Sequence, residues 1–184
     1  MFRKLSMLFI IGLLAFTTAC SSTTSAVSNA AANATGSNVV ATANASSCPT
    51  SNTRSFAKTR FVADVALAGG AFKRWIYTPA KNGSFQKGAH GRITALVKAA
   101  AAGLFVVNRL NAAKTNAEAN PTLCKVLVTP MAKFSSAVSG LIGKAKSGSI
   151  NASDVNSSSG YLDALHGASS QGGAPFTDNL SANP

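Results

Sequence analysis

The sequence predicts an all-α fold: a small helical bundle of three long helices plus a short fourth, preceded by a signal peptide and a flexible tether. Three observations carry this expectation. Apolar residues through the middle of the chain recur at spacings of three and four, the period of one helical face. No segment alternates with period two over the length of a strand, and no paired hairpin-type turns occur. Helix lengths and loop spacing leave no room for a parallel sheet, and short connections make neighbouring helices antiparallel. Of the 184 residues, 34 are alanine, so the core must be built from small side chains.

The elements follow in chain order. Met1-Phe2-Arg3-Lys4 is a short basic start, and the fifteen residues from Leu5 to Ala19 carry no charge. That run is too short to span a bilayer comfortably and has the length of a signal-peptide apolar region. Ser21 to Ser47 is uncharged, rich in Ser, Thr, Ala and Asn, and without helical or strand period. It reads as a flexible tether with an end-to-end distance of about 30 Å. The expected organisation is therefore 1–19 signal peptide, 20–47 modified Cys and tether, 48–168 basic helical domain, and 169–184 flexible tail.

In the first helix, Phe61, Val65, Ala68, Phe72 and Trp75 or Ile76 share one face. Ser51, Asn52 and Thr53 offer N-cap oxygens, and Pro79 with Asn82-Gly83 ends it. Gly69-Gly70 lies inside this helix, where each Gly costs about 1 kcal/mol against Ala; the pair suggests close approach or a kink. The second helix is phased by Ile93, Val97, Ala100, Leu104 and Val107. Within it, the nine residues Ala99 to Val107 read as a buried central segment, with shallow membrane insertion or the lining of an apolar ligand cavity as the alternatives. The third starts at Asn120-Pro121, an N-cap followed by Pro at the first helical position. Its stripe is Leu127, Met131, Phe134, Val138, Leu141 and Ala145, with Pro130 expected to kink or divide it. A short fourth helix is expected over 157–166, with Tyr161, Leu162 and Leu165 inward and Gly167 as its stop.

Two cysteines, Cys48 and Cys124, lie within the helical domain. An exported compartment is oxidising, and the antiparallel topology places both at the same end of the bundle. A Cys48–Cys124 disulfide is the expectation.

Charge is the strongest compositional signal. The chain carries 17 Lys and Arg against 5 Asp and Glu, a net charge of +12. From Arg54 to Lys146 there are fifteen basic residues and two acids, Asp64 and Glu118. With two His and five scattered acids, most metalloenzymes are excluded and a hydrolase is disfavoured; no catalytic residue, metal site or cofactor is expected. His90 and His166 read as cap or solvated residues, and Asp163 with His166 as a surface pair at helical spacing. The surface feature that stands out is Lys73-Arg74-Trp75-Ile76-Tyr77, followed by Lys81 and Lys87. Basic groups interleaved with aromatics suit anionic lipid or anionic polymer. Lys73, Arg74, Lys81 and Lys87 are the expected contacts.

The segment Phe16-Thr17-Thr18-Ala19-Cys20 resembles a bacterial lipoprotein signal, in which a small residue precedes a Cys that is lipidated and becomes the mature N-terminus. Thr17 stands where such signals usually carry Leu. The resemblance implies lipidation at Cys20 and a membrane partner held through that N-terminal anchor. Ordinary secretion, with cleavage after Ala19 or Ala26, is the main alternative, and a retained membrane anchor a further one. Around Ala71 to Tyr77 and Gly103-Leu104-Phe105 the body is also similar to a loosely defined group of exported bacterial proteins of unknown function, which brings no activity or site. The sequence thus points to a non-enzymatic cell-envelope protein that binds anionic lipid or wall polymer through a basic helical face. The alternative is an apolar-ligand carrier or protein-interaction module. Export removes nucleic acid as a native partner, although the charge would attract it in a test tube.

Overall fold

The computed structural model describes residues 48–184; the expected signal peptide, Cys20 and the tether lie outside the described residues. Among the described residues there are helices and no strand. The first rod is α1 (Ala57–Phe72), continued without a break by a π-helical turn (Lys73–Tyr77) and α2 (Thr78–Lys81). It is followed by α3 (Arg92–Glu118), α4 (Pro121–Lys146) and α5 (Ala152–Gln171). α1 packs on α3, α3 on α4, and α4 on α5, an up-and-down bundle of three long rods and a shorter fourth.

The expected inner faces of the first and third rods are correct. Ala57, Phe61, Val65, Ala68, Phe72 and Ile76 are buried, as is the whole α4 stripe from Leu127 to Ala145. Phe72 and Phe134 meet edge to face, centroids 5.3 Å apart, and tie these two rods together. Asn120 caps α4 as expected, its side chain accepting from the Thr122 and Leu123 amides. Pro130 does not divide α4, which runs through it as one helix. The buried side chains on either side, Leu127, Met131 and Phe134, hold that stretch against the core.

Several expectations are corrected. Ser51, Asn52 and Thr53 do not cap α1, which starts after Phe56 in a left-handed conformation with no side-chain cap. Asn52 and Thr53 instead clasp the α3–α4 turn: the Thr53 amide donates to the Ala119 carbonyl at 2.9 Å, and Asn52 Oδ1 accepts from Asn120 Nδ2 at 2.6 Å. Cys48 is bonded to Cys124 beside this clasp, with Cα atoms 5.7 Å apart, so the disulfide expectation is met. Pro79 does not end the first rod. Its ring crowds the carbonyl four residues back, Trp75, and the π turn containing Trp75 widens the helix there. The rod stops at Asn82-Gly83, where the Ser84 amide bonds the Pro79 carbonyl and the Gly83 amide the Ala80 carbonyl.

The phase of α3 differs from expectation. Its buried face is Leu96, Ala99, Ala102, Gly103, Val106, Leu110 and Ala113. Ile93, Val97 and Leu104 point outward, exposed by 77%, 64% and 56%. The segment Ala99 to Val107 is accordingly half-buried rather than enclosed, with Ala101 and Leu104 exposed. The small residues select the inner face because they let backbones approach. A Cβ on Gly103 would stand 2.5 Å from Ile142 Cγ1 of α4.

α5 is twice the expected length. Asn151 caps it through the Asp154 amide, and Gly160 and Gly167 lie inside it. Leu162 and Leu165 are buried but Tyr161 faces out. The helix closes at Gly173, φ 68°, with the Ala174 amide on the Ser169 carbonyl. The residues beyond are not a loose tail. Ala174, Phe176 and Ala182 are buried, and the chain doubles back as a strap across α1. The Asn179 amide donates to the Ala66 carbonyl at 2.8 Å. This explains Gly69-Gly70: a Cβ at Gly69 would overlap the Asp178 carboxylate, and one at Gly70 would overlap the Asn179 backbone.

Candidate anionic-surface interface

The π turn determines what happens to the predicted basic patch. Ile76 enters the core while Lys73, Trp75 and Tyr77 stay half-buried and Arg74 is exposed. Lys73 Nζ lies 2.6 Å from Asp178 Oδ2 of the strap. Arg74 donates to the Leu180 carbonyl at 3.1 Å, and Trp75 Nε1 to the Ala182 carbonyl at 3.3 Å. Three consecutive side chains of the π turn thus hold one end of the chain. Lys73 and Arg74 are engaged with the strap, whereas Lys81 and Lys87 are exposed and form no ion pair among the described residues. The four do not form a single patch of uncommitted cations.

Asp178 is the centre of the strap. Its side chain is 7% exposed, held by Lys73 on one side and by His166 Nε2 at 3.1 Å on the other. The His166 ring stacks on Phe176, centroids 4.0 Å apart. His166 is therefore a packing and hydrogen-bonding partner of the strap, and its carboxylate neighbour is Asp178 rather than the expected Asp163. Its ring meets no Ser, Thr or Cys side chain among the described residues. His90 is exposed. No three His, Cys, Asp or Glu side chains converge among the described residues.

Cations outside the predicted patch complete the surface. Lys98 Nζ stands 5.4 Å over the Trp75 ring, and the Arg74 guanidinium 4.9 Å over it. Lys146 borders an open apolar groove with Ile93, Val97, Ala100 and Ala145. Arg92 is structural: Nε donates to the Phe85 carbonyl at 2.9 Å and Nη2 to the Gly148 carbonyl at 2.6 Å, joining the α2–α3 loop to the α4–α5 loop. No local motif signals Lys98 or Lys146, because only the helix packing places Lys98 beside Trp75 and Lys146 beside the outward side chains of α3.

The balance of charge is one-sided. Of the fifteen basic side chains among the described residues, four meet a carboxylate: Lys73, Arg109, Lys114 and Lys144. The other eleven meet none among the described residues. α5 and the strap contain no Lys or Arg, so the excess lies on the α1, α3 and α4 sides. α3 and α4 are also long and apolar enough to cross a membrane by length and composition. Both contribute to the core described above, with their basic residues on outer positions. No family model, no curated protein and no solved structure matches this chain.

Proposed function

We propose that the protein is an exported, non-enzymatic component of the cell envelope, lipid-anchored through Cys20, whose helical body binds an anionic lipid or wall-polymer surface. The observation that carries this is the set of eleven basic side chains without a carboxylate partner among the described residues, on a body whose acids are mostly spent on internal pairs. Such an excess is drawn to anionic headgroups by about 1 kcal/mol per basic residue close to the surface. The binding face proposed is Lys81 and Lys87 together with Lys98 and Lys146. Lys73 and Arg74 act chiefly as strap holders and contribute field rather than direct contact.

The test replaces Lys81, Lys87, Lys98 and Lys146 by Gln and compares both proteins on anionic vesicles and on a phosphate-rich wall polymer across a salt series. The wild type binds both at low salt with a steep salt dependence, and the variant binds more weakly with a shallower slope. Equal slopes would refute this face. Loss of palmitate labelling in Cys20→Ser tests the anchor separately.

A further inference from the structure

We infer that the outward face of α3 from Ile93 to Leu104 is a bilayer-contacting surface, which seats Ile93 and Val97 at the boundary between headgroups and acyl chains while Lys98 and Lys146 bind anionic headgroups on its two sides. This rests on the anionic-surface reading above and adds two things to it: the ligand is a bilayer rather than a soluble polymer, and named residues meet it.

The packing of α3 leaves an apolar strip facing outward. α3 fills its inner face with Ala, Gly, Val and Leu and turns Ile93, Val97 and Leu104 outward, with Ala101 exposed between them. On one side the strip borders Ala145 and Lys146. On the other, Thr94 and Lys98 share a shallow groove with Arg74 and the half-buried Trp75. An aliphatic strip beside a tryptophan, flanked by cations, has the composition of an interfacial surface. The charge is complementary to anionic headgroups, since no Asp or Glu occurs between Asp64 and Glu118. The shape also favours a bilayer. The strip is one helix wide with three large side chains, far less than the roughly 800 Å² per partner of a stable protein interface. Shallow insertion needs no matching shape and adds a modest apolar contribution to charge attraction.

The single tryptophan makes the face directly observable, because Trp75 adjoins Lys98 and nothing else in the chain reports in its place. The oxidised full chain carrying Cys20→Ser, so that no lipid anchor contributes, is mixed with phosphatidylcholine vesicles, or with mixed phosphatidylcholine–phosphatidylglycerol vesicles, both carrying lipid brominated near the headgroup end of the acyl chain. Pelleting and Trp75 fluorescence are read from the same samples. The expected result is quenching on the anionic vesicles, and an affinity reduced on the order of tenfold in Ile93→Ser/Val97→Ser, whose exposed positions leave the core untouched. A chain that pellets with anionic vesicles while Trp75 stays unquenched overturns the inference, leaves the electrostatic reading standing, and gives the strip to a protein partner. Undiminished affinity in the Ser variant overturns it as well. No preference for anionic over neutral vesicles overturns both.

Discussion

Gly70→Ala tests how the strap is held. In an exposed helix interior this change stabilises by about 1 kcal/mol, because Ala lowers the conformational cost of the helix. At Gly70 the new Cβ would overlap the Asn179 carbonyl, so the strap has to lift. Lifting breaks the Asn179 amide bond to Ala66 and the Trp75 Nε1 bond to Ala182, each worth about 1 kcal/mol net. It also breaks the Lys73–Asp178 pair, worth about 1 kcal/mol because Lys73 is 39% exposed and its field is screened. Offset by the helix gain, the net cost is about 2 kcal/mol. Gly140→Ala in α4 is the control, since a Cβ there meets nothing within 4 Å and should stabilise by about 1 kcal/mol. Denaturant midpoints of the oxidised proteins give the difference, and hydrogen exchange at the Asn179 amide shows where it arises. Opposite signs at the two glycines, with lost protection at Asn179, are expected. If Gly70→Ala matched Gly140→Ala in stability and kept its Asn179 amide protected, the packing argument for the glycine pair would be wrong.

Two further outcomes follow from the packing. Reducing Cys48–Cys124, which closes a loop across a sequence separation of 76, should cost about 4 kcal/mol in the chain-entropy model; a loss below about 1 kcal/mol on denaturation with and without reductant contradicts it. Gly103→Ala should destabilise by about 1–3 kcal/mol through its contact with Ile142, and Ile142→Ala should relieve part of that in a double-mutant cycle. Strict additivity of the two would show that α3 and α4 do not meet at Gly103.

The parts legible in the sequence are those where bulky apolar residues alternate with polar ones. The α4 stripe is unambiguous because Leu127, Met131, Phe134 and Val138 stand against Lys125, Thr129, Lys133 and Ser139. Asn120-Pro121 is a local signal and needs no tertiary information. The disulfide was legible because topology alone brings Cys48 and Cys124 to one end. α3 was not, since between Ala99 and Val107 every position is apolar and any phase satisfies the spacing. There the packing of Gly103 against Ile142 decides, and it favours small residues inside over large ones. The strap has no periodicity to read, and its docking depends on a gap created by Gly69-Gly70 more than 100 positions earlier. The same distance in sequence separates Lys73 and Arg74 from Asp178 and Leu180, which is why a charge cluster visible in the sequence turned out to be partly committed to holding the fold. The excess of positive charge itself was fully legible.

The central claim is that this charge draws the body to anionic surfaces independently of any N-terminal anchor. Its most direct test is co-sedimentation of oxidised residues 48–184 with neutral and anionic vesicles over a salt series. Binding to anionic vesicles alone, falling steeply as salt rises, is the predicted result. No binding to anionic vesicles even at low salt would contradict the account and reduce the charge to a property of solubility.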